Sequence, residues 1–113
     1  MPYIDLKTNK QLDSETVELI KADLGEAITA IPGKSEGWLM VRVEGNSDMF
    51  FKGDGSDCAM FDVSIFGTAN DSAYDDLTKR ICKISEERLL VPASRTYVKY
   101  SEYSNWGWNN MNF

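Results

Sequence analysis

The segment CAMFDVSIFG, residues 58–67, decides how this sequence is organised. It is rich in apolar residues and ends at a glycine, which predicts a buried strand over 58–66. Apolar residues at spacings of three and four then predict a helix over 74–84, and Pro92 marks its end. A strand over 96–100 completes a strand–helix–strand unit.

The first half of the chain repeats this order of elements. Residues 3–7 alternate like a strand, residues 17–31 have the apolar spacing of a helix, and residues 38–43 form an apolar strand. Pro32-Gly33 ends the first helix. Two such units imply parallel strands joined by right-handed crossovers. We therefore predict an α/β (α+β) fold with a tandem βαβ repeat, in which a four-stranded, mainly parallel sheet carries two helices on one face.

We predict that the 113 residues form a single domain. Its parts are repeat one at about 2–44, a short connecting strand at about 48–52, repeat two at about 58–101 and an aromatic tail at 102–113. The face of the sheet without helices needs a cover, and strands rich in Leu, Met and Val there would favour an oligomer. The tryptophans of the tail fit such an interface or, equally well, the chain's own core.

Charge and histidine content exclude several classes of function. The chain has 12 Lys and Arg against 18 Asp and Glu, and no basic stripe, which argues against nucleic acid or an anionic membrane as a partner. It has no histidine, so a Ser-His-Asp triad and a His-ligated metal are excluded. We expect no cofactor and no metal, and any acid–base chemistry must use Lys, Tyr, carboxylates or a terminal amine.

The remaining sequence features concern the compartment. Cys58 and Cys82 lie far apart and lack a C-x-x-C partner, which is typical of thiols in a reducing compartment. No cationic stretch precedes an apolar run, and no apolar run is long enough to span a bilayer. We therefore expect a cytoplasmic protein, with secretion without a signal peptide as the alternative.

The chain opens Met1-Pro2-Tyr3, so removal of Met1 would turn Pro2 into an N-terminal secondary amine. A free α-amino group titrates near about 7.7–8.0, and apolar surroundings or a nearby cation lower that pKa towards a base that works at neutral pH. Pro2 is therefore a candidate acid–base residue. The alternative is an ordinary Met-Pro start without chemistry.

Short motifs follow one another in a fixed order along nearly the whole chain. They are Met1-Pro2 before a strand, Pro32-Gly33-Lys34 after a helix, Cys58-Ala59-Met60, Phe66-Gly67, Arg95-Thr96-Tyr97 and Gly107-Trp108-Asn109-Asn110 before Phe113. In this order they resemble the macrophage migration inhibitory factor family of the tautomerase superfamily. The resemblance implies a homotrimer whose sheets enclose a central channel, with active sites between subunits. It also implies cofactor-independent keto–enol tautomerisation of 2-oxo acids such as phenylpyruvate.

The same resemblance implies roles for individual residues. Pro2 would move a proton between carbon and oxygen of the substrate, and Lys34 would meet the substrate's carboxylate or oxygen. The backbone N–H of Phe66 would contact the carboxylate, and Tyr97 would come from the neighbouring subunit. The other walls of the pocket would be Tyr3, Trp106, Trp108 and Phe113. Without the resemblance, Lys34 reads as an exposed loop lysine and Tyr97 as a packing residue of a strand.

Three positions depart from the family pattern. Lys99 stands where relatives carry Asn, so a second cation would bind the carboxylate or shift substrate preference, unless it points away. Trp106 replaces a smaller aliphatic residue and should narrow or flatten the slot for the aryl group. Phe61 occupies the second place of the family's C-x-x-C after Cys58, so we predict no C-x-x-C redox function.

Two other functions compete with the tautomerase hypothesis. One is a secreted signalling ligand that binds a receptor, which the resemblance permits but no residue demonstrates. The other is hydrolytic dehalogenation of small haloacids, which in relatives uses additional arginines and a carboxylate around the proline. The sequence shows no such set of residues near Pro2, so dehalogenation is the weakest of the three.

Overall fold

A computed structural model describes all residues from Met1 to Phe113 as strands and helices joined by short loops. The main elements in chain order are β1 (Pro2–Thr8), α1 (Ser14–Ala27), β2 (Met40–Glu44), β3 (Ala59–Phe66), α2 (Asp71–Ile84), β4 (Thr96–Tyr103), β5 (Gly107–Trp108) and β6 (Met111–Asn112). Short 3₁₀ turns precede β2 and β4, and a π-helical turn follows α2. No helix has both the length and the apolar character that a membrane span requires.

The first four strands form one sheet in the order β2-β1-β3-β4. β1 pairs in parallel with β2, and β3 pairs in parallel with β4. Each parallel pair encloses one helix in the sequence, which confirms the tandem βαβ repeat and the mixed α/β fold. The two repeats meet in the centre of the sheet, where β1 and β3 are antiparallel.

Buried and partly exposed residues alternate along the two central strands, and the buried ones form the core. Every second residue of β1 and β3 is buried against the helices, including Ile4, Leu6, Phe61 and Val63. They pack with apolar residues of α1 and α2 in one cluster of 16 buried residues. The periodicity that predicted strands and helices therefore also selects the buried face.

The other face of the sheet differs from the expected one rich in Leu, Met and Val. It carries a ladder of charges, because the Leu and Val residues of β1 and β3 point towards the helices. Asp5 accepts hydrogen bonds from Lys7 at 2.6 Å and from Arg42 at 3.1 Å. Burial by itself would raise the pKa of Asp5, but these hydrogen bonds outweigh it and hold the pKa below its ordinary value.

The short strand expected at about 48–52 does not form. Phe51 instead makes an isolated antiparallel bridge with Asp54 across a tight turn. This loop is held by a side chain rather than by a sheet partner, since the Arg95 guanidinium donates to the carbonyls of Ser56 at 2.9 Å and Phe51 at 3.3 Å. The apolar residues suggested a strand, but two side chains distant in the sequence, Arg95 and Asn9, hold the loop by hydrogen bonds to its carbonyls.

The tail does not fill the core of the chain. β5 and β6 form a two-stranded ribbon joined by Asn109 and Asn110, whose φ angles of 51° and 69° suit a tight hairpin turn. Trp108 keeps 50% of its surface exposed. The tryptophans of the tail therefore belong to a surface or to the mouth of a pocket.

Gly25 is buried inside α1, and its replacement by alanine gives a test of helix energetics. The three heavy atoms nearest to the added methyl group all belong to Glu36, an exposed side chain that can swing into solvent. Alanine also favours an interior helix position by about 1 kcal/mol over glycine. We expect Gly25→Ala to raise the free energy of unfolding by up to about 1 kcal/mol in urea titration. A loss of stability would show that the Glu36 contact itself holds the loop before β2.

Candidate active site

A cavity of about 870 Å³ opens at the end of the sheet where β1 begins. The strand register brings four elements to this point, because Pro2 pairs with Ile65, Tyr3 with Met40, and Phe66 with Tyr103. The lining comprises Met1, Pro2, Tyr3, Gly37, Trp38, Leu39, Met40, Ser64, Tyr103, Asn105, Trp106, Gly107 and Trp108. The start of the chain therefore forms part of the wall of a largely aromatic pocket.

Both backbone groups of Phe66 hold residues of this site. Its N–H donates to the carbonyl oxygen of Met1 at 2.9 Å. Its carbonyl oxygen accepts a hydrogen bond from Lys34 Nζ at 2.8 Å. Phe66 thus fixes the first residue of the chain and the lysine side chain beside each other.

A turn after α1 delivers Lys34 to this position. Gly33 adopts a φ of 81°, a left-handed conformation that glycine adopts without strain. The Lys34 N–H then donates to the carbonyl of Ile31 at 3.1 Å and closes the turn. The Pro32-Gly33 signal therefore ends the helical segment and also positions the cation of the site.

The terminal amine in this pocket, that of Met1, loses its proton more readily than an ordinary α-amino group. Burial lowers the pKa of the Met1 amine from 8.0 to about 6, with further lowering by the charge and the hydrogen bond of Lys34. An amine with this pKa is mostly neutral at pH 7 and has a free electron pair. The site therefore gives an N-terminal amine the protonation state of a base at neutral pH.

Aromatic rings connect the tail to the rest of the site. Trp38 lies edge-on to Trp108, with ring centres 5.0 Å apart and planes at 84°. Trp108 stacks with Phe113 at 6.2 Å and 11°, and Phe113 packs against Phe66 at 5.6 Å. These contacts hold the tail over the residue that fixes Met1 and Lys34.

The structure brings together most of the site residues expected from the sequence. Pro2, Tyr3, Trp106 and Trp108 line the cavity. Three more of the expected residues lie next to the cavity and are held there by the contacts described above: Lys34, Phe66 and Phe113.

Tyr97 and Lys99 lie elsewhere within one chain. Tyr97 pairs with Met60, which pairs with Lys7, so it lies roughly 16 Å along the sheet from Pro2 at about 3.3 Å per residue. Its ring packs against Phe51 at 4.9 Å. Lys99 Nζ lies 3.3 Å from a carboxylate oxygen of Asp62 on the charged face. Only a neighbouring copy could carry these two residues to a pocket, and their roles stay predictions.

Sequence reasoning missed several walls of the pocket. Trp38 was expected to begin a strand, but it ends a 3₁₀ turn and its ring lines the cavity. Met40, Ser64 and Tyr103 also line the cavity and were not singled out. A tryptophan after the polar stretch that follows Pro32-Gly33 was a usable signal for Trp38, whereas the other three depend on strand register.

Comparison with known proteins gives consistent similarities over the whole chain. The family model for macrophage migration inhibitory factor (MIF) matches residues 1–113. A macrophage migration inhibitory factor homolog from Wuchereria bancrofti is 26% identical over 102 residues, which cover 88% of this chain and 85% of that protein. The crystal structure of Leishmania major MIF2 has a TM-score of 0.93 and 26% identity, covering 100% of this chain and 97% of that one.

A third similarity is to a structure with a reacted ligand. The crystal structure of Pt0534 inactivated by 2-oxo-3-pentynoate has a TM-score of 0.80 and 15% identity, covering 89% of this chain and 85% of that one. At this identity the similarity shows a shared fold.

The electrostatics of the site predict how the Met1 amine titrates in protein that retains Met1. Trace acetylation followed by mass spectrometry should give a midpoint near pH 6 for this amine. Lys34→Ala should move the midpoint upwards, because a nearby cation disfavours the protonated amine. Lys83→Ala is the matched control, since Lys83 is an exposed lysine of α2, outside the pocket. A midpoint near 8 in all three proteins would contradict this account of the site.

Proposed function

Because the chain belongs to the macrophage migration inhibitory factor family, we propose that it is a cofactor-independent keto–enol tautomerase for phenylpyruvate-like 2-oxo acids. The observation that carries the proposal is an aromatic pocket at the start of the chain, in which burial and Lys34 lower the pKa of the Met1 amine to about 6. Enolisation needs a base that is free at neutral pH, a cation for the anionic oxygens and an apolar slot for the aryl group. The pocket supplies the cation and the apolar slot, and we assign the base to the amine that Pro2 would carry after loss of Met1.

In the proposed active form Met1 is absent. While Met1 is attached, the nitrogen of Pro2 is an amide and has no basic electron pair. The N–H of Phe66 also donates a hydrogen bond to the carbonyl oxygen of Met1 at 2.9 Å. We assign this same N–H to an oxygen of the substrate. Loss of Met1 would therefore create the amine at Pro2 and free a hydrogen-bond donor in the same pocket.

The proposed reaction moves one proton within the substrate. The Pro2 nitrogen takes a proton from C3, the electrons of that C–H bond form the C2=C3 double bond, and the carbonyl electrons move to oxygen. Pro2 then returns the proton to that oxygen, so atoms and electrons balance without a cofactor. Lys34 and the Phe66 N–H would stabilise the anionic oxygens, and the aromatic walls would hold the aryl group.

We further propose a homotrimer in which each pocket receives Tyr97 and Lys99 from a neighbouring subunit. The placement of Tyr97 supports this, because the residue is 61% exposed on an edge strand of the sheet, away from its own pocket. Lys99 is also exposed on that strand. A second cation from this lysine would suit a carboxylate substrate.

A second candidate function is that of a signalling ligand. It is favoured by the similarity to the Wuchereria bancrofti protein, which is named for inhibition of macrophage migration. A migration assay with the Met1-free protein and with Pro2→Gly separates the two functions. Equal inhibition by both proteins would support a ligand role independent of proton transfer, and no inhibition by either would count against it.

The role of Pro2 predicts the effect of replacing it. Exchange of the C3 protons of phenylpyruvate for deuterium, followed by NMR, should be at least about 100-fold slower with Pro2→Gly than with the unchanged protein, since acid–base catalysis contributes about 10²–10⁴. Intact mass must show that Met1 is absent from both proteins. Phe50→Ala, a change at an exposed residue outside the pocket, should leave the rate unchanged. A Pro2→Gly protein with the full rate would rule out this mechanism.

The proposed block by Met1 makes a separate prediction. Protein from which Met1 has not been removed should exchange the C3 protons of phenylpyruvate at close to the uncatalysed rate. Treatment of the same sample with a methionine aminopeptidase should restore the activity in proportion to the Met1-free fraction measured by mass spectrometry. Equal rates before and after complete removal would contradict the proposal.

A further inference from the structure

The tryptophan wall of the pocket is larger than a single aromatic ring can cover. The cavity opens beside Met1 and Pro2, and the neighbouring subunit proposed above would add Tyr97 and Lys99 to it. Trp38, Trp106 and Trp108 come from two separate segments of the chain and all line it. Three indole side chains on one cavity offer more aromatic surface than a single phenyl ring can contact.

The rings also have a defined shape. Trp38 and Trp108 meet at 84° with centres 5.0 Å apart, so they form a right-angled corner. Trp38 keeps 49% of its surface exposed and Trp108 keeps 50%. Aromatic rings pair either by offset stacking or edge to face. A ligand in this corner can stack on one indole and point its edge at the other, provided that its ring system is long enough to reach both.

The outer side of the corner is held in place by further packing. Trp108 lies parallel to Phe113 at 6.2 Å, and Phe113 is fixed in turn on Phe66. Trp106 packs against Tyr103 at 6.1 Å. These contacts fix the positions of Trp106 and Trp108 in the wall of the cavity.

We propose that the preferred substrates are 2-oxo acids whose aryl group is a planar two-ring system, such as indolyl, rather than a single phenyl ring. This inference rests on the tautomerase activity proposed above. With the carboxylate near Lys34, a fused second ring extends into the tryptophan corner and covers surface that a phenyl ring leaves exposed. Ser64 and Asn105 supply oxygen acceptors in the lining for a ring N–H.

The test compares two substrates with Met1-free protein. We expect kcat/KM for C3 deuterium exchange, divided by each substrate's uncatalysed rate, to be about tenfold higher for indol-3-ylpyruvate than for phenylpyruvate, since small apolar additions in a fitted pocket change rates by about 10–200-fold. Trp38→Ala and Trp106→Leu should each lower kcat/KM more for indol-3-ylpyruvate than for phenylpyruvate and so remove most of that advantage. Phe50→Ala, an exposed aromatic outside the pocket, is the matched control.

The outcomes separate this inference from the tautomerase proposal. Exchange of phenylpyruvate at an equal or higher relative rate would overturn the preference for two rings and leave the activity in place. Absence of exchange with either substrate would overturn the activity. Calorimetry with indole-3-acetate and phenylacetate then tests the preference for two rings without any reaction. We expect indole-3-acetate to bind about tenfold more tightly, and equal binding would contradict the preference.

Discussion

The antiparallel pairing of β1 with β3 is the constraint on which the rest of this structure depends. It joins the two βαβ repeats into one sheet and brings the start of β1 to the end of β3. At that point the backbone of Phe66 holds both Met1 and Lys34. A slip of one residue in this register would turn the buried residues of β1 to the charged face. The core and the candidate site therefore both require the observed register.

Much of the fold could be predicted from periodicity alone. Apolar spacing of two or of three and four located the strands and the helices, because burial of one face selects that spacing. It failed at residues 48–52, where Arg95 holds the loop by backbone contacts that no local pattern reveals. Periodicity also did not predict the charged residues on the open face of the sheet, because the pairing of Asp5 with Arg42 depends on strand order.

The candidate site could be predicted only in part. Pro2 and Lys34 were assigned from the order of short motifs, and their proximity follows from a turn at Gly33 and a carbonyl of Phe66. Ser64 and Tyr103 could not be found, since their place in the cavity is set by register between distant segments. The lowered pKa of the terminal amine likewise needs the burial that only the folded chain provides.

We propose that an N-terminal amine at Pro2 acts as the base of this pocket. The most direct measurement is reaction of Met1-free protein with 2-oxo-3-pentynoate, a 2-oxo acid whose conjugated alkyne reacts with a neutral amine, followed by peptide mass spectrometry. We predict one adduct, formed by addition of the Pro2 nitrogen across the alkyne and prevented by excess phenylpyruvate. The thiols compete poorly, since Cys58 is buried and burial raises the pKa of the Cys82 thiol. An unmodified Pro2, or labelling spread over the lysines, would contradict the claim.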